Sequence, residues 1–185
     1  MPFPSYILRP LAFSISILMI EWGVLPTLFI FIALLSLIGT EIKKTCFAFK
    51  LSKSLILFSS SILSLMAIYG ILNSYVRTPD LWILFYLPWS VFQEFVVFCF
   101  IYENLENAVK EPKFIVSIIF SIFHIPNVFL VFTTFLMILI FSSYYRRYRT
   151  IALPAILHYA FAVTALIFLP ENITHALKVG VNCCK

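Results

Sequence analysis

Charge is scarce in this sequence. Only 11% of the 185 residues are charged and 62% are hydrophobic, and mean hydropathy is +1.03, whereas about a quarter of the residues in an ordinary soluble domain are charged. So apolar a chain has too few polar side chains to cover a water-soluble core, which excludes a sizeable soluble domain. A membrane-spanning helix needs about 20 apolar residues. The sequence therefore predicts an all-α, polytopic transmembrane helical bundle with about six to seven spans.

Cysteine is also scarce, and its four copies show no C-x-x-C spacing. They stand at positions 46, 99, 183 and 184. This arrangement does not resemble a zinc ribbon, so we expect neither a structural metal site nor a disulfide framework.

The net charge of +5 comes from short basic clusters between apolar runs. The segment Glu41–Lys53 carries four lysines, and Tyr144–Arg149 carries three arginines. Clusters of this kind are typical of cytoplasmic loops, so the loop with Arg77 and Asp80 should lie outside. Outside those short loops there is no basic face with interleaved aromatic residues, which argues against a nucleic-acid partner.

The apolar runs define three regions, with residues 1–80 as N-terminal transmembrane helices, 81–170 as the core helices and 171–185 as a short polar tail. The runs are Leu11–Gly39, Ser54–Leu72, Leu81–Tyr102, Phe114–Phe123, Val128–Ser143 and Ile151–Leu169. The first run is long enough for one tilted helix, but Glu21, Trp22 and Pro26 inside it favour two short ones. Pro126 predicts a break between the fourth and fifth runs.

Three ionisable residues fall inside the apolar core runs, namely Glu94, His124 and His158. Each lies nine to eleven residues from a predicted cytoplasmic loop, which corresponds to a depth of about 13 to 17 Å. Ionisable residues at that depth are rare and usually functional. We therefore expect these three side chains, from three helices, to form one site. Glu21 is more simply explained as a hydrogen-bonding residue between helices.

A carboxylate and two imidazoles suit more than one chemistry. They can activate a water molecule and stabilise an oxyanion, or they can hold a metal as a two-histidine, one-carboxylate set. A proton relay in a transporter is a third reading, but the few spans and the lack of repeated halves make it weaker.

Two short motifs carry a resemblance to a known family. Phe120-Ser-Ile-Phe-His124, continued by Ile-Pro-Asn127, contains the pattern F-x-x-x-H. His158 follows a Leu-Pro-Ala-Ile-Leu run and begins the pattern H-x-x-x-N, in which Ala162 replaces the final Asn. These residues resemble the CPBP family, the CAAX protease and bacteriocin-processing membrane proteins, which include glutamic intramembrane proteases. The resemblance covers roughly residues 82–169.

The family's first motif, E-E-x-x-x-R, is altered most. Gln93-Glu94 stands at the two Glu positions and Phe98 at the Arg position. The resemblance implies that the first Glu is the catalytic base, so either Glu94 takes over that role or the chain is a divergent or inactive member. A frame shifted by one residue, with Glu94 first, fits the flanking pattern less well. Asn127 is the nearest substitute for the missing Asn of the third motif.

The resemblance implies hydrolysis of a peptide bond in a membrane-associated protein or peptide, without a metal or other cofactor. Glu94, supported by Gln93, would position water, and His124 and His158 would polarise it and stabilise the oxyanion. The implied location is a multi-pass protein of the prokaryotic plasma membrane. The implied substrates are CAAX-type boxes, leaders or C-terminal sorting tails. The alternative is a catalytically impaired scaffold or a bacteriocin self-immunity protein.

Overall fold

The computed structural model describes residues 5–21, 44–81, 83–180 and 183, and most of these residues are helical. No strand occurs within these ranges, which confirms the all-α class. The elements are α1 (Ser5–Glu21), a 3-10 turn (Lys44–Phe47), α2 (Lys53–Leu72), α3 (Ile83–Glu94), a π-helix (Phe95–Tyr102), α4 (Glu103–Glu106), α5 (Pro112–Ile122), α6 (Val128–Tyr148), α7 (Ala152–Phe168), α8 (Glu171–Thr174) and a second 3-10 turn (His175–Leu177).

Three of the described helical stretches are long and apolar enough to cross a bilayer. They are α2, the continuous stretch Ile83–Glu106 and α6, with 20, 24 and 21 residues. The helices α5 and α7 are apolar but shorter. Length and composition together identify an integral membrane protein.

The predicted interruption at Pro126 is confirmed. Helix α5 ends at Ile122, and α6 begins at Val128 after a turn that contains His124. Asn127 caps α6, since its side-chain oxygen accepts a hydrogen bond from the Leu130 amide at 3.1 Å. An Asn in this position satisfies an amide that the first helical turn leaves free.

The stretch Ile83–Glu106 changes helical type at the site. Pro88 lies inside α3, and the chain widens into a π-helix directly after Glu94. Wider turns of this kind often accompany functional residues. The π-helix is almost wholly buried, and its Phe98 ring stacks on Tyr145 of α6 at 4.9 Å between centroids. The middle of the stretch is therefore held by the interior of the protein.

A polar cluster joins α4 to the end of α6 on the predicted cytoplasmic side. Arg149 donates two hydrogen bonds of 2.6 Å to Glu106 and one of 3.0 Å to Glu103, which also accepts from the Tyr145 hydroxyl. The hydrogen bonds to Glu106 raise the pKa of Arg149 above its usual value. Arg149 adopts a left-handed conformation, with φ of 53°, and so ends α6.

One disulfide departs from the sequence-based expectation. Cys46, in the first 3-10 turn, pairs with Cys99 of the π-helix, with Cα atoms 6.7 Å apart. The Ile151 amide donates to the Cys46 carbonyl at 2.8 Å. The expectation of no disulfide considered spacing along the chain, but folding brings these distant positions together.

The opposite end of the protein is closed by a tight contact between α2 and α7. A Cβ added at Gly70 would overlap the backbone of Phe168, so only glycine fits at this approach. Beyond it, the Arg77 amide donates to the Ile167 carbonyl at 3.0 Å, and its guanidinium donates to the Leu169 carbonyl.

The prediction of two helices in the first apolar run falls largely outside the described residues. Helix α1 covers the run as far as Glu21. The second predicted helix, with Trp22 and Pro26, lies in residues 22–43, outside the described ranges.

We expect Gly70→Ala to destabilise the protein by about 1–3 kcal/mol, because the new methyl group forces α2 and α7 apart. The measurement is the melting temperature of the purified protein in detergent. Ser64→Ala, at an exposed position of the same helix, is the control and should melt like the wild type. Equal melting temperatures for both variants would contradict the tight contact.

Candidate active site

Glu94 and His158 form a buried pair at the centre of the site. Glu94 is the last residue of α3 and is fully buried, and His158 lies in the middle of α7 with 3% of its surface exposed. Glu94 Oε1 lies 2.8 Å from His158 Nδ1. Two of the three predicted site residues are thus in direct contact, although 64 positions separate them in the sequence.

Two oxygen atoms at this end of α3 are buried without a partner in the described part of the chain. They are Glu94 Oε2 and Gln93 Oε1. Buried polar atoms nearly always have a hydrogen-bond partner, and exceptions often mark functional sites. Both oxygen atoms can therefore still accept a hydrogen bond, next to the Glu94–His158 contact.

His124, in the turn after α5, is held in one tautomer by its own backbone. Its Nδ1 lies 2.9 Å from the Phe120 carbonyl oxygen. A carbonyl only accepts hydrogen bonds, so Nδ1 must carry the proton and Nε2 of the neutral ring keeps a lone pair. With Glu94 ionised, the same argument gives His158 a proton on Nδ1 and a lone pair on Nε2.

Phe120 explains why the two histidines belong to one site. Its ring lies 4.8 Å from the His124 ring and 6.1 Å from the His158 ring, measured between centroids. Both imidazoles line one cavity of about 360 Å³, and Glu94 is not part of the described lining. The histidines therefore face the open space, and the carboxyl stands behind His158.

The cavity is largely apolar away from the histidines. Helices α2, α6 and α7 form most of its walls. The apolar lining includes Phe58, Ile62, Met66, Met137, Ile140 and Phe161. Such a lining suits an apolar side chain or lipid group next to a few polar atoms.

Asn127 is occupied by structural contacts. Its amide nitrogen donates to the carbonyls of Thr174 and Lys178 at 2.9 and 3.1 Å, and its oxygen caps α6. The Gly180 amide also donates to the Ile125 carbonyl at 2.9 Å. These contacts favour a role in fixing the turn that carries His124, while the oxyanion role expected for Asn127 stays a prediction.

The residues that replace the family's Arg and Asn fit the local packing. Phe98, at the Arg position, is fully buried against Tyr145. Ala162, at the Asn position, lies one turn after His158 and lines the cavity. The contact between Phe98 and Tyr145 thus stands in place of the Arg, and cavity space beside Ala162 stands in place of the Asn side chain.

Tyr86 also lines the cavity of the site, although its sequence context does not single it out. It lies on α3, eight positions before Glu94, and lines the same cavity as the histidines. Its ring meets the His158 ring edge-on at 6.2 Å. Its position on the helix that carries Glu94 was the available signal, but a tyrosine in an apolar run is usually part of the packing.

These features define a class: a helical integral membrane protein with a buried carboxyl–imidazole pair and a second imidazole beside an apolar cavity. Residues 75–164 match the model of the family described as type II CAAX prenyl endopeptidase Rce1-like. The match contains all three motifs and confirms the resemblance to the CPBP family. No curated protein and no solved structure matches the chain.

We expect the Nδ1-protonated tautomer at His124 in both the wild type and Glu94→Gln, because the Phe120 carbonyl fixes it. The His158 signals should shift in the variant, since its partner changes. The measurement is NMR of the protein with ¹⁵N-labelled histidine. There are only three histidines, and His175→Gln assigns the remaining one. An Nε2-protonated ring at His124 would contradict the geometry.

Proposed function

We propose that this protein is an intramembrane endopeptidase that hydrolyses a peptide bond of a membrane-associated protein or peptide. The observation that carries the proposal is the buried contact between Glu94 and His158, beside a cavity that His124 shares. A carboxylate behind an imidazole orients the ring and stabilises its protonated form, as in hydrolases that activate a nucleophile with histidine.

In the first step, a water molecule between the two Nε2 atoms attacks the carbonyl carbon of the peptide bond. The water oxygen forms the new C–O bond, and its proton passes to His158 Nε2. The π electrons of the carbonyl move to its oxygen, which becomes the oxyanion. Glu94 stays ionised and stabilises the resulting imidazolium. His124 Nε2 accepts a hydrogen bond from the second O–H of the water, which stays intact, and so orients the attack.

In the second step, the tetrahedral intermediate collapses. The oxyanion re-forms the C=O bond, the C–N bond breaks, and His158 returns its proton to the leaving nitrogen. The products are a carboxylic acid and an amine, and the site returns to its starting state. The apolar cavity excludes bulk water, which strengthens these electrostatic interactions.

This scheme divides the roles differently from the motif-based expectation. There, Glu94 and Gln93 position the water, and both histidines serve the oxyanion. The contacts favour Glu94 as the group that orients His158, because its Oε1 bonds His158 and the carboxyl lies behind the ring. Gln93 is half-buried, and its side-chain oxygen has no hydrogen-bond partner among the described residues. It lies next to Glu94 and supports that carboxyl group.

We infer the substrate from the family match and the membrane context from the charge pattern. Rce1-like enzymes are CAAX-type endopeptidases, so a prenylated C-terminal box is the first substrate to test, followed by leaders and sorting tails. The basic clusters favour a multi-pass protein with the segments Lys43–Lys53 and Arg146–Arg149 on the cytoplasmic side. We place the protein in a prokaryotic plasma membrane.

A scaffold or bacteriocin self-immunity protein is the second candidate. It is favoured by the replacement of the Glu, Arg and Asn of the family motifs with Gln93, Phe98 and Ala162. His124→Ala separates the two: a scaffold keeps its biological function in this variant, whereas an enzyme loses it.

We expect Glu94→Ala, His124→Ala and His158→Ala each to lower the cleavage rate by about 10²–10⁴-fold, because each removes a group that moves or orients a proton. The assay is cleavage of farnesylated C-terminal peptides, leader peptides and tail-anchored sorting peptides by the protein in liposomes. Glu171→Gln and His175→Ala are the matched controls outside the site and should cleave at the wild-type rate.

Undiminished cleavage by Glu94→Ala would overturn the proposal. Metal analysis of the active wild-type preparation tests the metal-dependent reading. One stoichiometric zinc, with loss of activity on chelation, would replace the acid–base scheme.

A further inference from the structure

The scheme above lacks one component, a hydrogen-bond donor for the oxyanion. The neutral His124 and His158 rings both carry their proton on Nδ1, so their Nε2 atoms can only accept when attack begins. The third motif has Ala162 in place of an amide side chain, and the Asn127 amide is bonded to Thr174 and Lys178. Another donor in the cavity wall would supply this hydrogen bond.

Among the described lining residues, few side-chain donors are free. The Thr133 and Thr134 hydroxyls donate to carbonyls of their own helix, at 2.7 and 2.6 Å. Apart from the histidines, this leaves the hydroxyls of Ser59 on α2 and Tyr86 on α3. The Ser59 hydroxyl is buried without a partner in the described part of the chain, whereas the Tyr86 ring contacts the His158 ring.

Tyr86 contacts the His158 ring and lies on the helix that carries Glu94. Glu94 follows it by eight residues on the same helical stretch, about 12 Å along the axis. The His158 ring contacts both, with Nδ1 at Glu94 and an edge-on contact to Tyr86. The Tyr86 hydroxyl has no hydrogen-bond partner among the described residues, and the side chain is half-buried in the cavity wall.

We propose that Tyr86 is a catalytic residue whose hydroxyl donates a hydrogen bond to the developing oxyanion, in place of the Asn that Ala162 has replaced. This inference rests on the proposed peptidase function. No proton is transferred from Tyr86: the O–H bond stays intact, and the hydrogen bond strengthens as negative charge collects on the carbonyl oxygen. Tyr86 and Ala162 line the same cavity, in which the substrate carbonyl would lie.

The test is Tyr86→Phe, which removes the hydroxyl and keeps the ring that packs on His158. We expect kcat to fall by about 10²–10³-fold, the usual effect of deleting one oxyanion donor, while KM changes by less than about 3-fold because the ground state gains little from this bond. Tyr69→Phe, at an exposed position on α2, is the matched control and should keep the wild-type kcat.

A second variant tests the substitution for the missing Asn. In Tyr86→Phe with Ala162→Asn, the new amide lies one turn after His158 and faces the same cavity, so kcat should recover by at least about 10-fold. Wild-type kcat in Tyr86→Phe would overturn the assignment. So would a large loss in Ser59→Ala without one in Tyr86→Phe, since that result would identify the other free hydroxyl as the donor.

Failure of this inference and failure of the proposed function give different results. If the wild type cleaves, Glu94→Ala does not and Tyr86→Phe cleaves like the wild type, only the Tyr86 assignment fails. If Glu94→Ala cleaves like the wild type, the proposed function itself fails, whatever the result for Tyr86→Phe.

Discussion

The contact between Glu94 and His158 is the constraint on which the rest of this protein depends. A carboxyl inside a membrane protein is several kcal/mol less stable than in water, unless a partner compensates the lost hydration. The imidazole supplies that partner at 2.8 Å. The contact requires α3 and α7 to lie side by side in one register. Gly70 of α2 lies directly against Phe168 of α7, so a third helix can pack closely on this pair.

Much of this arrangement is readable from local features of the sequence. Apolar runs and basic clusters predicted the helices and the break before Asn127, because span length and proline chemistry act over a few residues. The meeting of Glu94 with His158 was also predictable in outline. Ionisable residues in a bilayer need partners, so those at equal depth on different helices tend to find one another.

The remainder depends on contacts between helices that the sequence alone does not specify. Tyr86 looks like one of many aromatic residues in an apolar run, and only the packing of α3 on α7 brings it to His158. The same holds for the disulfide between Cys46 and Cys99, 53 residues apart. The widening of the helix after Glu94 has no clear local signal either, since Phe95–Tyr102 resembles any apolar helix.

The hydrogen bonds of Asn127 to carbonyls 47 and 51 residues further along the chain affect how the protein is made. Synthesis proceeds from the N-terminus, so α5, α6 and the turn with His124 leave the ribosome before Thr174 and Lys178 exist. Until then the turn lacks the contacts that fix it. The turn that carries His124 is therefore fixed only after α7, the last long helix of the described ranges, has been synthesised.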